Sequence, residues 1–410
     1  MVVRSWVVPL AALAGITFAG ALLRQEGLTA GNSQAQPKRW PTIGVLSGDP
    51  LKGLGLQPGD FHPPRASGKV RFVGRTRYLN NARAVVTHTI DDSSEFVPQA
   101  LDAMDRYDVK ATAFIDTRVK EAAALWPRLQ QAIDRGHEIG SHSEHHLCQW
   151  PDTEEFCKNA YNDDEITGSR NDILARTHQP YVWSWAYPCG NCAQYTFVQE
   201  KLAAAGYLVA RPYPDEARDG HLLPNLQTYA ANPYDALYTG VVQKKGGIAR
   251  HGRTDVAELN AKFDEVYQRG GIYNFLSHPQ WLDYGPDRFY EKHLAHIGKR
   301  PDVWYVPMGP LYAYPTAATR TQVRTLGPQG ETARFAVYND LDPKIYTNSV
   351  TLEFSVPAGV KAAVRAGGKT LPEKAQGLTD RWDQEYFRRE GNHFYVTVKP
   401  NTIIEFRTGS

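Results

Sequence analysis

An excess of charge of either sign is nearly absent from this chain. Among its 410 residues, 46 Lys and Arg stand against 44 Asp and Glu, a net charge of +2. No basic stripe breaks that balance, so the electrostatic footprint of a nucleic-acid surface is missing and nucleic acid is not expected as a partner. Long apolar runs are almost as scarce. The exception is Trp6 to Leu23, within MVVRSWVVPLAALAGITFAGALLRQEG. One Arg, an apolar stretch and small residues at Ala19-Gly20-Ala21 or Ser33-Gln34-Ala35 make a secretory signal pattern over residues 1–35. The run is also barely long enough to span a bilayer, so membrane attachment through a retained N-terminal anchor is the alternative. Pro9, Gly15 and Gly20 weaken a stable span and favour the signal. No Cys follows the apolar stretch, which excludes a lipoprotein anchor. Either reading places the protein outside the cytoplasm: secreted, periplasmic or in the cell envelope.

Cysteine is rare too. Cys148, Cys157, Cys189 and Cys192 are the whole set. An even count in an exported chain points to disulfides, and the sequence-local pairing is Cys148 with Cys157 and Cys189 with Cys192. A four-thiolate zinc site is the rival. It usually needs two short C-x-x-C knuckles, and the first pair here is too widely spaced. No thioredoxin-like context surrounds Cys189. What the chain has in quantity is aromatic: 22 Tyr and 9 Trp. Exposed rings suit sugars, although packing accounts for most large aromatic side chains.

A chain this long predicts two to three domains. Residues 36–82 are rich in Gly, Pro and charge and read as an extended N-terminal arm. From residue 83 the pattern changes. ARAVVTHTI, KATAFI and HEIGSH are strand-like runs separated by helical spacing, and one helix is expected near 153–176. The alternation continues to about residue 320. It demands a parallel sheet, and the strands lack polar alternation, as expected when both faces are covered. The expectation for 83–320 is an α/β fold: a distorted, incomplete (β/α) barrel with seven or so strands. Over 321–410 the period becomes two. In VTLEFSV, Val350, Leu352, Phe354 and Val356 share one face, and FYVTV and TIIEF follow. That predicts a small C-terminal antiparallel β-sandwich domain.

The stretch GHEIGSHSEHHL holds three histidines within five positions. His142 and His146 are four apart and project together if a helical turn follows the strand. Neutral imidazole is a common ligand for zinc-like metals, and a third protein ligand with an open position would make a catalytic site. The strand before Asp91 and Asp92 ends THTIDD, and a later strand ends at Ser277-His278. In a parallel barrel all strand ends meet at one face, so these groups should converge.

Those residues carry a resemblance. Residues 83–310 resemble the polysaccharide deacetylases, carbohydrate esterase family four, with the chitooligosaccharide (nodulation) deacetylase homology domain. The family's T-F-D-D motif appears as Thr89-Ile90-Asp91-Asp92, its H-S/T-x-x-H motif as His142-Ser143-Glu144-His145-His146, and its L-x-H motif as Leu276-Ser277-His278. The resemblance implies Asp92, His142 and His146 as metal ligands, Asp91 as general base and His278 as general acid. Ser143 then orients a ligand or the loop, and His145 is expected to be a supporting or exposed residue. The third motif reads Trp185-Ala186-Tyr187-Pro188-Cys189-Gly190. Tyr187, Pro188 and Cys189 would form the oxyanion and substrate loop, which a Cys189–Cys192 disulfide would stiffen. Ala186 stands where an Arg would steady the base. The fourth motif has no clean match; PDEARDG, with Asp215 and Asp219, comes nearest.

The expected cofactor is a divalent metal ion. Zinc suits nitrogen and oxygen ligands, and cobalt and nickel suit them too. The expected reaction is hydrolysis of N-acetyl groups on an amino-sugar polymer such as chitin, peptidoglycan or an exopolysaccharide. The alternatives are an O-acetyl esterase on xylan-type glycans and a catalytically inactive carbohydrate-binding protein.

Overall fold

The computed structural model describes residues 42–61, 66–211, 234–239, 256–358, 361–375 and 381–409. The expected signal or anchor and the PDEARDG segment lie outside these residues. Among the described residues no helix is long and apolar enough to cross a membrane.

A helical turn, α1 (Pro50–Gly53), and two strands, β1 (Ala66–Ser67) and β2 (Val70–Arg75), come first. The alternating part runs β3 (Ala84–Asp91), α2 (Val97–Arg106), β4 (Ala111–Ile115), α3 (Ala122–Asp134), β5 (Glu138–Ser141), α4 (Glu154–Ala160), α5 (Ser169–Arg176) and β6 (Ser184–Ala186). It continues through α6 (Thr196–Ala204), β7 (Val209–Arg211), β8 (Tyr234–Thr239), α7 (Val256–Arg269), β9 (Ile272–Ser277), α8 (Phe289–Ile297), β10 (Val303–Tyr305) and α9 (Met308–Arg320). The strands form one parallel sheet in the order β7-β6-β5-β4-β3-β9-β8, and β10 pairs with the first half of β3. The sheet is curled into a half-barrel with helices.

Every residue of β3 is buried, because a central parallel strand is covered on both faces. Its side chains serve two cores in alternation. Val86 and Ile90 join the cluster beneath α2, α3, α7 and α8. Val85 joins a second cluster that continues through α9 into the C-terminal sheets. The single helix expected near 153–176 is instead α4 and α5 with a π turn at Asp164–Gly168 between them. The break delivers Glu165 to the loop after β5, where it accepts the Glu144 and His145 N–H groups at 2.9 and 3.0 Å.

The C-terminal strands are β11 (Gln322–Gln329), β12 (Thr332–Tyr338), β13 (Val350–Ser355), β14 (Lys361–Ala366), β15 (Lys369–Thr370), β16 (Tyr386–Glu390), β17 (His393–Val398) and β18 (Thr402–Gly409). They make two antiparallel five-stranded sheets, β1-β2-β13-β17-β16 and β11-β12-β18-β14-β15. The register sets Phe354 opposite Phe394 and Phe72. Across the sheets its ring lies 4.9 Å from those of Phe335 and Phe406. The first sheet corrects the reading of 36–82 as an extended arm, since β1 and β2 come from that segment. The strand signal of VRFVGR is short and set among Gly and Pro. It becomes a strand because β13 offers an edge that needs pairing.

Helix α9 packs against β3, β4, β5 and β7, and also against β13. Its first turn is fixed by buried polar groups. Glu138 accepts the Gly309 N–H and the hydroxyls of Thr112 and Ser184, all at 2.7 Å. Thr112 Oγ1 accepts the Met308 N–H at 2.8 Å. A Cβ on Gly309 would lie 2.4 Å from Glu138 and from Trp183, so this close approach requires glycine. Burial raises the Glu138 carboxyl above its usual range, and the three donors oppose that rise. Glu138→Ala would take the Glu138 acceptor away from two hydroxyl donors and one N–H. It is expected to destabilise the protein by at least about 2 kcal/mol in denaturant unfolding. Glu138→Gln, which keeps an acceptor, should lose less.

Candidate metal centre and active site

Parallel strands deliver their C-terminal ends to one face. Asp91 ends β3 and Asp92 follows it; Asp116 comes one residue after β4, His142 directly after β5 and His278 directly after β9, while Arg211 ends β7. The fold brings them together. Asp92 Oδ1 lies 3.7 Å from His142 Nε2 and 3.4 Å from His146 Nε2. Asp92 Oδ2 lies 3.9 Å from His278 Nε2 and accepts from Gln280 Nε2 at 2.8 Å. Asp91 is buried and ion-paired with the equally buried Arg211 guanidinium, which sits over the Phe114 ring at 5.0 Å.

The two ligand-like imidazoles converge through a loop, which replaces the expected helical turn. Ser143 and His146 hold φ of 73° and 54°, and Asp92 holds 76°. Such left-handed backbone at non-glycine residues costs about 1–3 kcal/mol each and gathers at functional sites. Ser143 Oγ accepts the His146 N–H at 2.9 Å, closing the loop. His142 Nδ1–H donates to the Ala186 carbonyl at 2.9 Å. A carbonyl only accepts, so Nδ1 carries the proton and Nε2 presents its lone pair toward Asp92. His145 is half-exposed and its Nδ1 meets Glu165 at 2.7 Å, away from the centre.

Asp92 Oδ1 is buried and has no hydrogen-bond partner. Its separations from the two Nε2 atoms are long for hydrogen bonds but suit a shared cation. Two ligand bonds of about 2.1 Å at a tetrahedral angle hold their donor atoms about 3.4 Å apart. The residues therefore fit a divalent metal ion.

Burial alone would lift the Asp91 carboxyl. Arg211, His142 and His278 outweigh that and hold it below its usual range. Burial drives His142 down to about 4 and lowers His278 as well, so both rings are neutral near pH 7. Asp116 goes the other way: burial and the neighbouring Asp92 charge push it up to about 7. Trp281 lies against His278, with ring centroids 4.1 Å apart.

The disulfides are Cys148–Cys189 and Cys157–Cys192, which overturns the sequence-local pairing and the expected Cys189–Cys192 bridge. Loops that follow the adjacent parallel strands β5 and β6 lie side by side, and both bridges cross between these neighbouring segments. All four thiols are consumed, which removes the four-thiolate zinc site. Cys148–Cys189 ties the loop after His146 to the Tyr187-Pro188-Cys189 turn. In that turn the Tyr187 N–H donates to the Arg211 carbonyl at 3.0 Å, and Pro188 has no N–H. Cys189 is left as the candidate oxyanion donor.

Three site residues were missed from the sequence: Arg211, Asp116 and Gln280. The arginine absent at Ala186 is supplied one strand further along. Arg211 closes VAR and Asp116 follows ATAFI, so both carried the same strand-end signal as Asp91 and His142.

A family profile described as polysaccharide deacetylase matches residues 79–210. A peptidoglycan-N-acetylglucosamine deacetylase from Bacillus cereus is 28% identical over 128 residues, covering 26% of this chain and 59% of the relative. Two solved structures resemble the fold. A provisionally assigned polysaccharide deacetylase from Mycobacterium smegmatis has a TM-score of 0.43 at 17% identity, over 63% of this chain and 99% of that one. A polysaccharide deacetylase from Bacillus cereus has a TM-score of 0.34 at 14% identity, over 55% and 92%. Over residues 79–210 the chain is similar to the polysaccharide deacetylase family, whose members generally use a divalent metal. The profile match stops one residue before Arg211 and well before His278.

Arg211→Met leaves the Asp91 carboxylate buried and unpaired. It is expected to destabilise the protein by about 3–5 kcal/mol in denaturant unfolding. Most of that loss should disappear when Asp91→Asn is added, because the uncompensated charge is then gone.

Proposed function

We propose that the chain is a metal-dependent deacetylase that hydrolyses N-acetyl groups of an amino-sugar polymer such as chitin, peptidoglycan or an exopolysaccharide. The observation that carries this reading is the unpartnered Asp92 Oδ1 facing the Nε2 atoms of His142 and His146, beside a separate carboxylate held by Arg211. Asp92, His142 and His146 hold the ion, and zinc is the ion we assign. When bound, it supplies positive charge that polarises an acetyl carbonyl and makes water acidic enough to attack it.

The protein's own groups divide the remaining work. Asp91 stays ionised because Arg211 neutralises it, and it receives the proton released by the attacking water. Arg211 is a positioning residue: it holds the base and offers no proton. The Cys189 N–H supports the developing oxyanion. His278 stands on the other side of Asp92 and protonates the departing nitrogen. Its buried ring is neutral at rest, so the proton it gives the nitrogen is the one Asp91 took from the water, relayed through the ring. The leaving amine needs that proton more than an alkoxide would, which favours the amide over the ester substrate. We place the enzyme outside the cytoplasm, in the envelope or beyond it, on the signal-like pattern of residues 1–35.

The test is acetate release from chitin oligomers, peptidoglycan and acetylxylan, before and after chelation. Turnover of an N-acetylated polymer that chelation abolishes is expected; release from acetylxylan alone, or none from any glycan, sinks the reading. Asp91→Asn is expected to keep its metal and lose about 10²–10⁴-fold in kcat, the range of general-base catalysis. His142→Ala is expected to lose the metal itself.

A further inference from the structure

The side chain of Asp116 has no role in the scheme above, yet it is built into the centre. It is 4% exposed. Ser93 fixes it from three directions. The Ser93 N–H donates to Asp116 Oδ2 at 3.1 Å, the Ser93 hydroxyl donates to the Asp116 carbonyl at 3.0 Å, and the same hydroxyl accepts the Asp116 N–H at 3.1 Å. The second carboxylate oxygen, Oδ1, is buried with no hydrogen-bond partner. One donor atom each from Asp92, Asp116, His142 and His146 fall within 4.8 Å of one another. Ligands on opposite sides of an ion stand about 4.2 Å apart at bond lengths of about 2.1 Å, so a shift of about 0.6 Å at most brings all four onto one cation.

We propose that Asp116 is a fourth protein ligand of this centre. The proposal rests on the metal-centre reading and extends it. A carboxylate kept in the interior only to cap a turn would have both oxygens bonded, since an unmade bond to a buried oxygen is costly. Here one oxygen is anchored, the other has no partner, and the carboxyl lies close to that of Asp92, where two like charges repel. A dication between them removes that repulsion and is fully neutralised by the pair. The resulting set of two carboxylates and two imidazoles is richer in oxygen than a triad. In an ion of coordination number five or six it still leaves room for water and a carbonyl.

The experiment compares full-length wild type, Asp116→Asn and Asp116→His. Affinity for Zn²⁺ is measured by chelator competition, the Co²⁺ form is examined by visible absorption, and melting is recorded in EDTA and in metal. Asp116→Asn keeps the acceptor for Ser93 and removes the charge. It is expected to bind Zn²⁺ at least tenfold more weakly while melting no lower than wild type in EDTA. Asp116→His is expected to retain Co²⁺ with a shifted absorption band. Equal Zn²⁺ affinity in wild type and Asp116→Asn overturns the fourth ligand alone. So does an unshifted Co²⁺ spectrum in Asp116→His, which would make the carboxylate a neighbour rather than a ligand. An equal melting loss with and without metal overturns it too, by assigning Asp116 a structural role. Wild type that binds no divalent ion overturns the metal centre and the proposal together.

Discussion

The site is organised around a carboxylate oxygen that makes no hydrogen bond. Asp92 Oδ1 is buried, and the groups facing it are imidazole nitrogens too distant to donate. A protein interior rarely leaves such an atom unmatched, because the lost solvation is not returned. Everything around it maintains the arrangement. Gln280 takes the other oxygen, Ala186 fixes the tautomer of His142, and Ser143 closes the loop that presents His146. Each contact restrains a ligand atom without occupying the face that an ion needs. The left-handed backbone at Asp92, Ser143 and His146 is the strain that goes with this geometry.

Asp91 and Asp92 show how one strand end suits two proposed chemistries. They are neighbours in sequence but meet opposite environments. Asp91 has a full guanidinium beside it and stays charged in spite of burial. Asp92 has imidazoles, an amide and a second carboxylate, none of which supplies a fixed positive charge. A base must be ionised and free to take a proton, whereas a ligand must be ionised and committed to its cation. The surroundings make that division, since the two side chains are chemically identical.

The barrel and the convergence of Asp91, Asp92, His142, His146 and His278 were legible in the sequence. Strand–helix alternation fixes a parallel sheet, and a parallel sheet fixes which residues share a face. Arg211 and Asp116 were legible by the same rule, but motif matching drew attention to strand ends that fit a pattern and away from those that did not. The sequence could not show the disulfide pairing, because spacing along the chain says nothing about which loops adjacent strands set side by side. Nor could it show that 66–67 and 70–75 are strands. A short strand draws its stability from the partner it pairs with, and β2 pairs with β13, which is 275 or more residues later in the chain.

Glu165 and the cross-linked loops explain why a loop can do what the sequence assigned to a helix. A helical turn would have held His142 and His146 by its own hydrogen bonds. The observed loop has few of these, so its restraint comes from elsewhere. Glu165, turned inward by the π turn, binds the backbone of residues 144 and 145 and the ring of His145. Cys148–Cys189 then fastens the far end of the loop to the turn after β6, whose Ala186 carbonyl already holds His142. The loop that carries His142 and His146 and the Tyr187-Pro188-Cys189 turn are thus one cross-linked unit. A substitution that loosens either element should be felt at both, and the integrity of the centre depends on α4, α5 and β6 as much as on Asp92, His142 and His146 themselves.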